Sequence, residues 1–438
     1  MNYALLRAFG QAFRTPDLRK KMLFVLFIVL LFRLGSAIPA PGVSEKNIHA
    51  CLVQVTGGNS ANVYTLINLF SGGALLKLSI LALGIMPYIT SSIIIQLLVV
   101  VIPRLERLKQ EGQSGQSKLT QYTRYLTIGL AILQSSAFVA LARTPGQIFN
   151  GCQTPIIPNH GWPVIVTIVL TMTAGTAIIM WLGELITDRG IGNGMSILIF
   201  TQIAARFPSE LNSIRQTKGL FTFLMVLLVG AVIIAAIVFV EQAQRRIPVQ
   251  YAKRMIGRRM YGGTSTYLPL KVNQAGVIPV IFASSLLYIP SLLTRVWSGN
   301  LGFTQFVQNY LSPNGHLTYL LLYAGLIIFF TFFYVAITFN PDEVAENMKK
   351  YGGFIPGIRP GRPTAEYLTY ILSRITVPGA TYLAVVAVIP EAALSIIGSS
   401  QQFPFGGTSV LIIVGVGLDT VKQIESQLML RNYEGFLR

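Results

Sequence analysis

The sequence contains few charged residues. Only 11% of its 438 residues are Asp, Glu, Lys or Arg, whereas 52% are hydrophobic and the mean hydropathy is +0.59. Because a soluble protein carries about a quarter charged residues, this composition excludes an ordinary soluble domain. The apolar residues are gathered in runs, and a run of about 20 residues crosses ~30 Å of hydrocarbon as a helix. The sequence therefore predicts a membrane protein that crosses the bilayer many times.

Residues that carry most enzyme chemistry are also scarce. The two cysteines, Cys51 and Cys152, are too few for a disulfide framework, and the sequence leaves open whether they pair. His49, His160 and His316 all fall in predicted external loops, so none of them supplies a base within the membrane. The sequence contains no G-x-S-x-G, H-E-x-x-H or P-loop motif. These absences predict a protein without enzymatic activity, cofactor or metal.

Charge is equally scarce inside the predicted spans. Arg33 lies well inside a span. The nearest carboxylates are close to predicted helix ends, at Glu184, Asp188, Glu241, Glu391 and Asp419. Secondary transporters commonly place ionisable groups near the midplane of the bilayer. The pattern argues against proton- or sodium-coupled transport, but a secondary transporter with discontinuous helices remains the alternative.

Long apolar windows predict ten transmembrane helices, near residues 22–39, 79–101, 121–142, 163–182, 191–205, 219–240, 273–293, 317–339, 368–389 and 406–427. Ten crossings place both termini on one side of the membrane. With that side in the cytoplasm, 26 of the 34 Lys and Arg residues are cytoplasmic and 6 are external. Because positively charged segments remain on the cytoplasmic side, this distribution predicts cytoplasmic termini.

Two predicted cytoplasmic loops are unusually long and basic, at 241–272 and 340–368. Their charge is explained by control of topology, with contact to anionic lipid. They also contain alternating, β-prone stretches and turns such as "YGG" and "PGIRPGRP". These features favour folded protrusions that present arginines to a large cytoplasmic partner.

A short segment precedes the second apolar window. The stretch "NLFSGGALLKLS" at 68–79 is too short to cross a bilayer and contains the adjacent residues Gly72 and Gly73. Each glycine destabilises a helix by ~1 kcal/mol relative to alanine. An element held mainly by local packing can leave its position at modest cost. An ordinary interfacial re-entrant helix is the alternative interpretation.

Several long strings resemble the SecY family, whose members form the pore of bacterial protein-conducting channels. They are "FSGGALLKLSILALGIMPYITSSIIIQLL", "EGQSGQSKLTQYTRY", "MWLGELITDRGIGNGMSILIF", "LPLKVNQAGVIPVIFASS", "FNPDEVAENMKKYGGFIPGIRPGRPT" and "FPFGGTSVLIIV", and the likeness runs from about Arg19 to the last residues. The resemblance implies an all-α fold of ten helices in the cytoplasmic membrane. It also implies two five-helix halves, 1–210 and 211–438, that are related by an inverted pseudo-repeat and enclose a pore.

The resemblance also implies three sets of pore residues. The segment at about 66–78 corresponds to a plug, with its centre at Asn68, Leu69, Phe70, Ser71, Gly72, Gly73, Ala74 and Leu75. The ring of apolar side chains that closes the pore corresponds to Ile85, Ile89, Met195, Ile199, Ile281 and Ile412. The resemblance also implies a lateral gate, with helices 2 and 3 on one side and helices 7 and 8 on the other. Its polar residues correspond to Thr90, Gln134 and Asn273, which either hydrogen-bond across the closed gate or are satisfied within their own helices.

For the basic loops, the resemblance implies docking of the ribosome and of the SecA motor ATPase through Arg258, Arg259 and Arg359. It further implies a heterotrimer with SecE and SecG, contact with signal peptides, preproteins and membrane lipid, and SecDF and YidC as additional partners. The expected function is to move unfolded preproteins across the membrane and to release apolar segments sideways into lipid. No cofactor is expected. An intramembrane hydrolase is a further alternative, but it would need a reactive side chain that faces a wet cavity.

Overall fold

The structure is a computed structural model of the 438-residue chain. It describes residues 15–44, 46–47, 78–142, 156–158, 161–205, 207–251, 254–256, 259–261, 265–296, 301–311, 317–397 and 407–434. Cys51, Cys152 and the three histidines lie outside these residues.

Helices dominate the described residues. In chain order they are α1 (Pro16–Ala37), α2 (Met86–Val101), α3 (Pro103–Gln110), α4 (Gln113–Ala142), α5 (Trp162–Arg189), α6 (Gly194–Ala204), α7 (Phe207–Gln242), α8 (Ile278–Val296), α9 (Leu301–Tyr310), α10 (Leu317–Thr338), α11 (Pro341–Lys350), α12 (Arg362–Ile397) and α13 (Gly407–Glu434). Each of the ten apolar windows overlaps one of these helices. Within α7 the backbone breaks at Gly219, whose φ of 86° lies in the left-handed region that glycine tolerates.

Length and hydropathy identify a smaller set of clear spans. Among the described residues, four helical stretches are long and apolar enough to cross a membrane, namely Trp162–Arg189, Gly219–Gln242, Leu317–Lys350 and Arg362–Ile389. The pair α2 and α3 would add a fifth, although the two helices meet at a bend of 100°. The bend falls at Pro103, and a proline disfavours helical backbone in the residue before it. The chain is therefore a multi-pass membrane protein, and the count of ten crossings stays a prediction.

The second span begins later than its hydropathy indicates. Residues 79–85 form turns, and the helix starts only at Met86, with Pro87 in its first turn. Before it, the Ala40 amide donates to the Leu78 carbonyl at 2.9 Å, and the Ile80 amide donates to the Ile38 carbonyl at 3.0 Å. The chain that enters α2 is thus tied to the chain that leaves α1.

The two long basic loops fold together. Strand β1 (Gln244–Tyr251) pairs antiparallel with β4 (Ser265–Lys271) on one side and with β5 (Gly353–Phe354) on the other. Strands β2 (Arg254–Ile256) and β3 (Arg259–Tyr261) form a second, two-stranded ribbon. A small apolar core holds the three-stranded sheet against α12, with buried members Ile247, Leu270, Ile355, Leu368 and Ile371. We call the three-stranded sheet, α11, the start of α12 and the turn that joins β5 to α12 the β-unit.

The three largest apolar clusters among the described residues lie in the helical part of the molecule. The buried members of one lie between Ala40 and Met172, and those of another lie between Ile237 and Val414. The third draws on both parts of the chain, because its buried members include Ile28, Ile179 and Ile412. This third cluster contains the candidate site.

Candidate pore constriction and funnel

All six residues of the expected ring lie in the third apolar cluster. We call them the collar: Ile85, Ile89, Met195, Ile199, Ile281 and Ile412. The isoleucines at 85, 199, 281 and 412 are buried, whereas Ile89 and Met195 are partly buried and pack against the cluster. The side chains come from α2 and its N-cap and from α6, α8 and α13. Four separate parts of the chain are therefore needed to assemble the collar.

The turn between α5 and α6 determines where the α6 side chains lie. The side-chain oxygen of Asn193 accepts from the amides of Met195 and Ser196 at 3.0 and 3.3 Å, which caps the N-terminus of α6. Thr187 Oγ1 accepts from the Gly194 amide at 2.9 Å and donates to the Gly183 carbonyl at 3.0 Å. A methyl group on Gly194 would lie 1.9 Å from the Gly183 carbonyl oxygen, so only glycine fits there.

Replacing Thr187 with valine should loosen this turn, because valine cannot accept the hydrogen bond of the Gly194 amide. An unsatisfied, partly buried donor costs about 1–3 kcal/mol, so the Thr187→Val protein should unfold at a lower temperature in detergent. Thr187→Ser keeps the hydroxyl and should behave like the parent chain. Thr167→Val is a control on the exposed side of the same helix, where the Thr167 hydroxyl donates to the Pro163 carbonyl at 2.7 Å. Equal stability of Thr187→Val and the parent chain would contradict this role.

A cavity of about 690 Å³ lies next to the collar, and we call it the funnel. Five of the six collar residues line it, all except Ile85. Lys271, at the end of β4, also lines it, so the funnel lies on the side of the β-unit. The rest of the lining includes six charged side chains, at Arg124, Glu184, Asp188, Glu241, Lys271 and Asp419. The funnel is thus polar on its walls and apolar where it meets the collar.

An ion pair crosses from α4 to α5 in the wall of the funnel. Arg124 Nε and Nη2 donate to the two carboxylate oxygens of Glu184 at 2.9 and 2.7 Å, and Arg124 Nη1 donates to Gln121 Oε1 at 3.1 Å. Two parallel bonds of this kind fix the guanidinium plane as well as its position. Sequence reasoning missed the pair, since 60 residues separate its members.

The expected lateral-gate residues do not bond to one another in this structure. Thr90 Oγ1 donates to the carbonyl of Met86 in its own helix at 2.9 Å. The amide nitrogen of Asn273 donates to Glu241 Oε1 at 2.6 Å and to the Gly276 carbonyl at 3.2 Å. Gln134 is half-buried on α4, which packs against α8. No hydrogen bond joins Thr90, Gln134 and Asn273 among the described residues, and the assignment of these three residues to a lateral gate stays a prediction.

The remaining expected residues are only partly described. The plug residues Asn68–Leu75 lie outside the described residues, as does Arg258, and Arg259 is described only by its backbone in β3. Arg359 is exposed in a turn of the β-unit. Thr364 Oγ1 donates to the Arg359 carbonyl at 2.8 Å, and Gly357 and Gly361 adopt φ values of 83° and 103°. The backbone of this turn is thus well defined around an outward-facing arginine.

The described residues contain no group of three or more His, Cys, Asp and Glu side chains arranged to hold a metal ion. The fold and the site define a polytopic membrane protein in which an apolar cluster of side chains borders a funnel with charged lining residues. Comparison with known proteins gives the family. The family profile described as SecY matches residues 79–421, which is more than half of the chain. The chain belongs to the SecY family.

Full-length relatives agree with this assignment. The protein translocase subunit SecY of Streptomyces galbus is 62% identical over 440 residues, which cover 99% of this chain and 100% of that protein. The protein translocase subunit SecY of Mycobacterium tuberculosis strain H37Rv is also 62% identical, over 442 residues, with the same coverage.

Solved structures share the fold at low sequence identity. A structure described as that of a protein-conducting channel has a TM-score of 0.62 and 18% identity and covers 93% of this chain and 91% of its own. A structure concerning the plug domain of a SecY protein has a TM-score of 0.61, 19% identity and the same coverage. Sec61 in a canine ribosome–channel complex has a TM-score of 0.59, 17% identity and, again, the same coverage.

Proposed function

We propose that this chain is the pore-forming subunit of a protein translocase in the cytoplasmic membrane. It passes unfolded preproteins across the membrane and releases apolar segments sideways into lipid. The observation that carries the proposal is the meeting of six apolar side chains from four parts of the chain next to a polar funnel. Family membership and the names of the full-length relatives support the same function.

The collar suits a channel for polypeptides on physical grounds. A narrow apolar constriction holds no stable column of water, so ions meet a dewetting barrier. Aliphatic side chains require no sequence-specific hydrogen bond, so they can part around any peptide. Met195, with its flexible thioether, can deform and still seal. In this proposal the segment 66–78 acts as a plug that supports the seal, and Thr90, Gln134 and Asn273 border the lateral gate.

The proposed subunit performs no catalysis, so its energy comes from partners. We assign the β-unit, with Arg258, Arg259 and Arg359, as the docking surface for SecA and for the ribosome, because guanidinium groups pair bidentately with carboxylate and with phosphate. One protein of similar structure, canine Sec61, is described in a ribosome–channel complex. SecE and SecG complete a heterotrimer, and both termini of this chain are cytoplasmic. The halves 1–210 and 211–438 move apart to open the lateral gate.

Reconstitution tests the proposal. Vesicles containing the chain with SecE and SecG should protect a radiolabelled preprotein from added protease only when SecA and ATP are present. The same vesicles without SecA serve as the control. Protection without SecA, or no protection under any condition while a small solute accumulates, would contradict the proposal and favour a secondary transporter.

A further inference from the structure

The funnel is acidic, although the chain as a whole is strongly basic. The chain has a formal net charge of +18. The lining of the funnel contains two basic and four acidic side chains, and therefore carries a formal charge of −2. The basic members are Arg124 and Lys271, and the acidic members are Glu184, Asp188, Glu241 and Asp419. Basic residues outnumber acidic residues in the whole chain, whereas acidic residues outnumber basic residues in the funnel lining.

Both basic side chains are already paired. Arg124 forms the bidentate pair with Glu184 described above. Lys271 Nζ lies 3.4 Å from Asp419 Oδ1. The negative charge that remains is therefore carried by Asp188 on α5 and Glu241 on α7. Neither of these carboxylates has a cation within ion-pair distance among the described residues. Asp188 is exposed, and Glu241 is half-buried and accepts only from the neutral amide of Asn273.

A buried acceptor in the same lining also lacks a donor. Asn273 is only 3% exposed and lines the funnel, and its Oδ1 has no hydrogen-bond partner among the described residues. Its amide nitrogen is committed to two acceptors, Glu241 and the Gly276 carbonyl, so the orientation of the amide is fixed. Buried polar atoms are nearly always satisfied, and an unmet one calls for a partner. The partner of Oδ1 must be a hydrogen-bond donor.

These features favour a particular class of ligand. The described residues offer no compact set of three carboxylate, imidazole or thiolate groups, so a metal ion is poorly matched. A cation that carries several N–H donors on a long stem fits better. Lysine has three donors and arginine has five, and either stem can lie along the isoleucines that border the funnel.

We propose that Asp188 and Glu241, with the buried acceptor Asn273 Oδ1 next to Glu241, form a binding site for lysine and arginine side chains of the client polypeptide. The site rests on the proposed function, because the client reaches the funnel only if the chain conducts polypeptides. Its effect is to hold cationic segments on the funnel side. Beyond it lies the collar, which offers such side chains no counter-charge and where a charge is costly. The funnel thereby discriminates between clients by the charge of the segment that enters first.

Equilibrium binding tests the site independently of translocation. The purified complex is titrated with a fluorescent signal peptide that carries three lysines on its amino-terminal flank, and with the same peptide carrying three glutamines. The parent complex should bind the lysine peptide more tightly. Asp188→Asn and Glu241→Gln preserve the shape of the side chain and one hydrogen-bonding oxygen. Each should weaken lysine-peptide binding by about threefold, the middle of the range for a solvent-screened charge pair. Binding of the glutamine peptide should not change.

Controls separate this inference from the proposed function. Glu346→Gln removes an exposed carboxylate on α11, outside the funnel lining, and should leave the lysine preference intact. An unchanged lysine preference in the Asp188→Asn, Glu241→Gln double variant would overturn the site, whatever the translocation assay shows. If the preference falls in the double variant but SecA and ATP move no preprotein, the binding site stands and the translocation proposal fails.

Discussion

Replacing Ile412 with asparagine should raise the resting ion conductance of the complex by about tenfold. A tenfold change corresponds to a barrier that is lower by about 1.4 kcal/mol. Ile412 is 2% exposed and belongs to the cluster that contains the whole collar. An amide at this position gives water two hydrogen-bonding groups inside a constriction that is otherwise apolar. The dewetting barrier should therefore fall. Planar-bilayer recordings without SecA or preprotein measure the effect.

Two controls separate wetting from general damage. Ile412→Val keeps the constriction apolar and should conduct little more than the parent chain. Ile327→Asn places the same amide at a fully buried site in the cluster between Ile237 and Val414, away from the collar. That variant should lose stability, because deletion of a buried isoleucine side chain typically costs about 2–5 kcal/mol, but it should not leak. Equal conductance of Ile412→Asn and the parent chain would contradict the role of the collar.

The helical framework could be predicted from the sequence. Hydropathy placed a window over every long apolar helix, because only a continuous apolar helix satisfies its backbone in lipid. The second span begins at Met86, whereas its hydropathy window begins at residue 79. Hydropathy does not register Gly84, with φ of 59°, or Pro87, which together delay the helix until Met86. A turn made of apolar residues looks like a helix to any measure of hydropathy.

The collar could not be predicted from the residues alone. Isoleucine, leucine and valine fill every membrane helix, so nothing local distinguishes Ile281 from its apolar neighbours. The spacing of Ile85 and Ile89, and of Met195 and Ile199, puts each pair on one helix face. It does not say that both faces meet. That information came from resemblance to a family, and the structure brings all six side chains into one cluster.

Long-range polar contacts were beyond sequence reasoning for a similar reason. The sequence did not indicate that the amide nitrogen of Asn273 donates to Glu241, 32 residues earlier. The pairing of β1 with β5 joins two loops that are separated by the whole of α8, α9 and α10. The β-prone pattern indicated folded loops, whereas their union depends on how the helices pack. When tertiary packing determines which residues or strands pair, neither segment shows a sequence periodicity that indicates the pairing.

Reversing the charge of Arg359 should reduce SecA-driven export about tenfold or more, because a charge-assisted hydrogen bond contributes about 1.5–3 kcal/mol. The Arg359→Glu variant should still fold and insert, since the side chain is exposed and its turn is held by the bond from the Thr364 hydroxyl to the Arg359 carbonyl. Protease protection of a preprotein in vesicles with SecA and ATP measures the effect. Direct binding of SecA to the vesicles should fall in parallel.

Arg362→Glu is the matched control for this prediction. Arg362 lies three residues away, its side chain is 88% exposed, and Nε donates to Glu366 at 3.2 Å one helical turn on. Exposed pairs of this kind contribute about 0–1 kcal/mol, so a reversal there changes the same net charge with little structural effect. If both variants lose export equally, the β-unit attracts SecA through its overall field. If only Arg359→Glu loses export, SecA binds this one guanidinium group directly, as bidentate recognition requires.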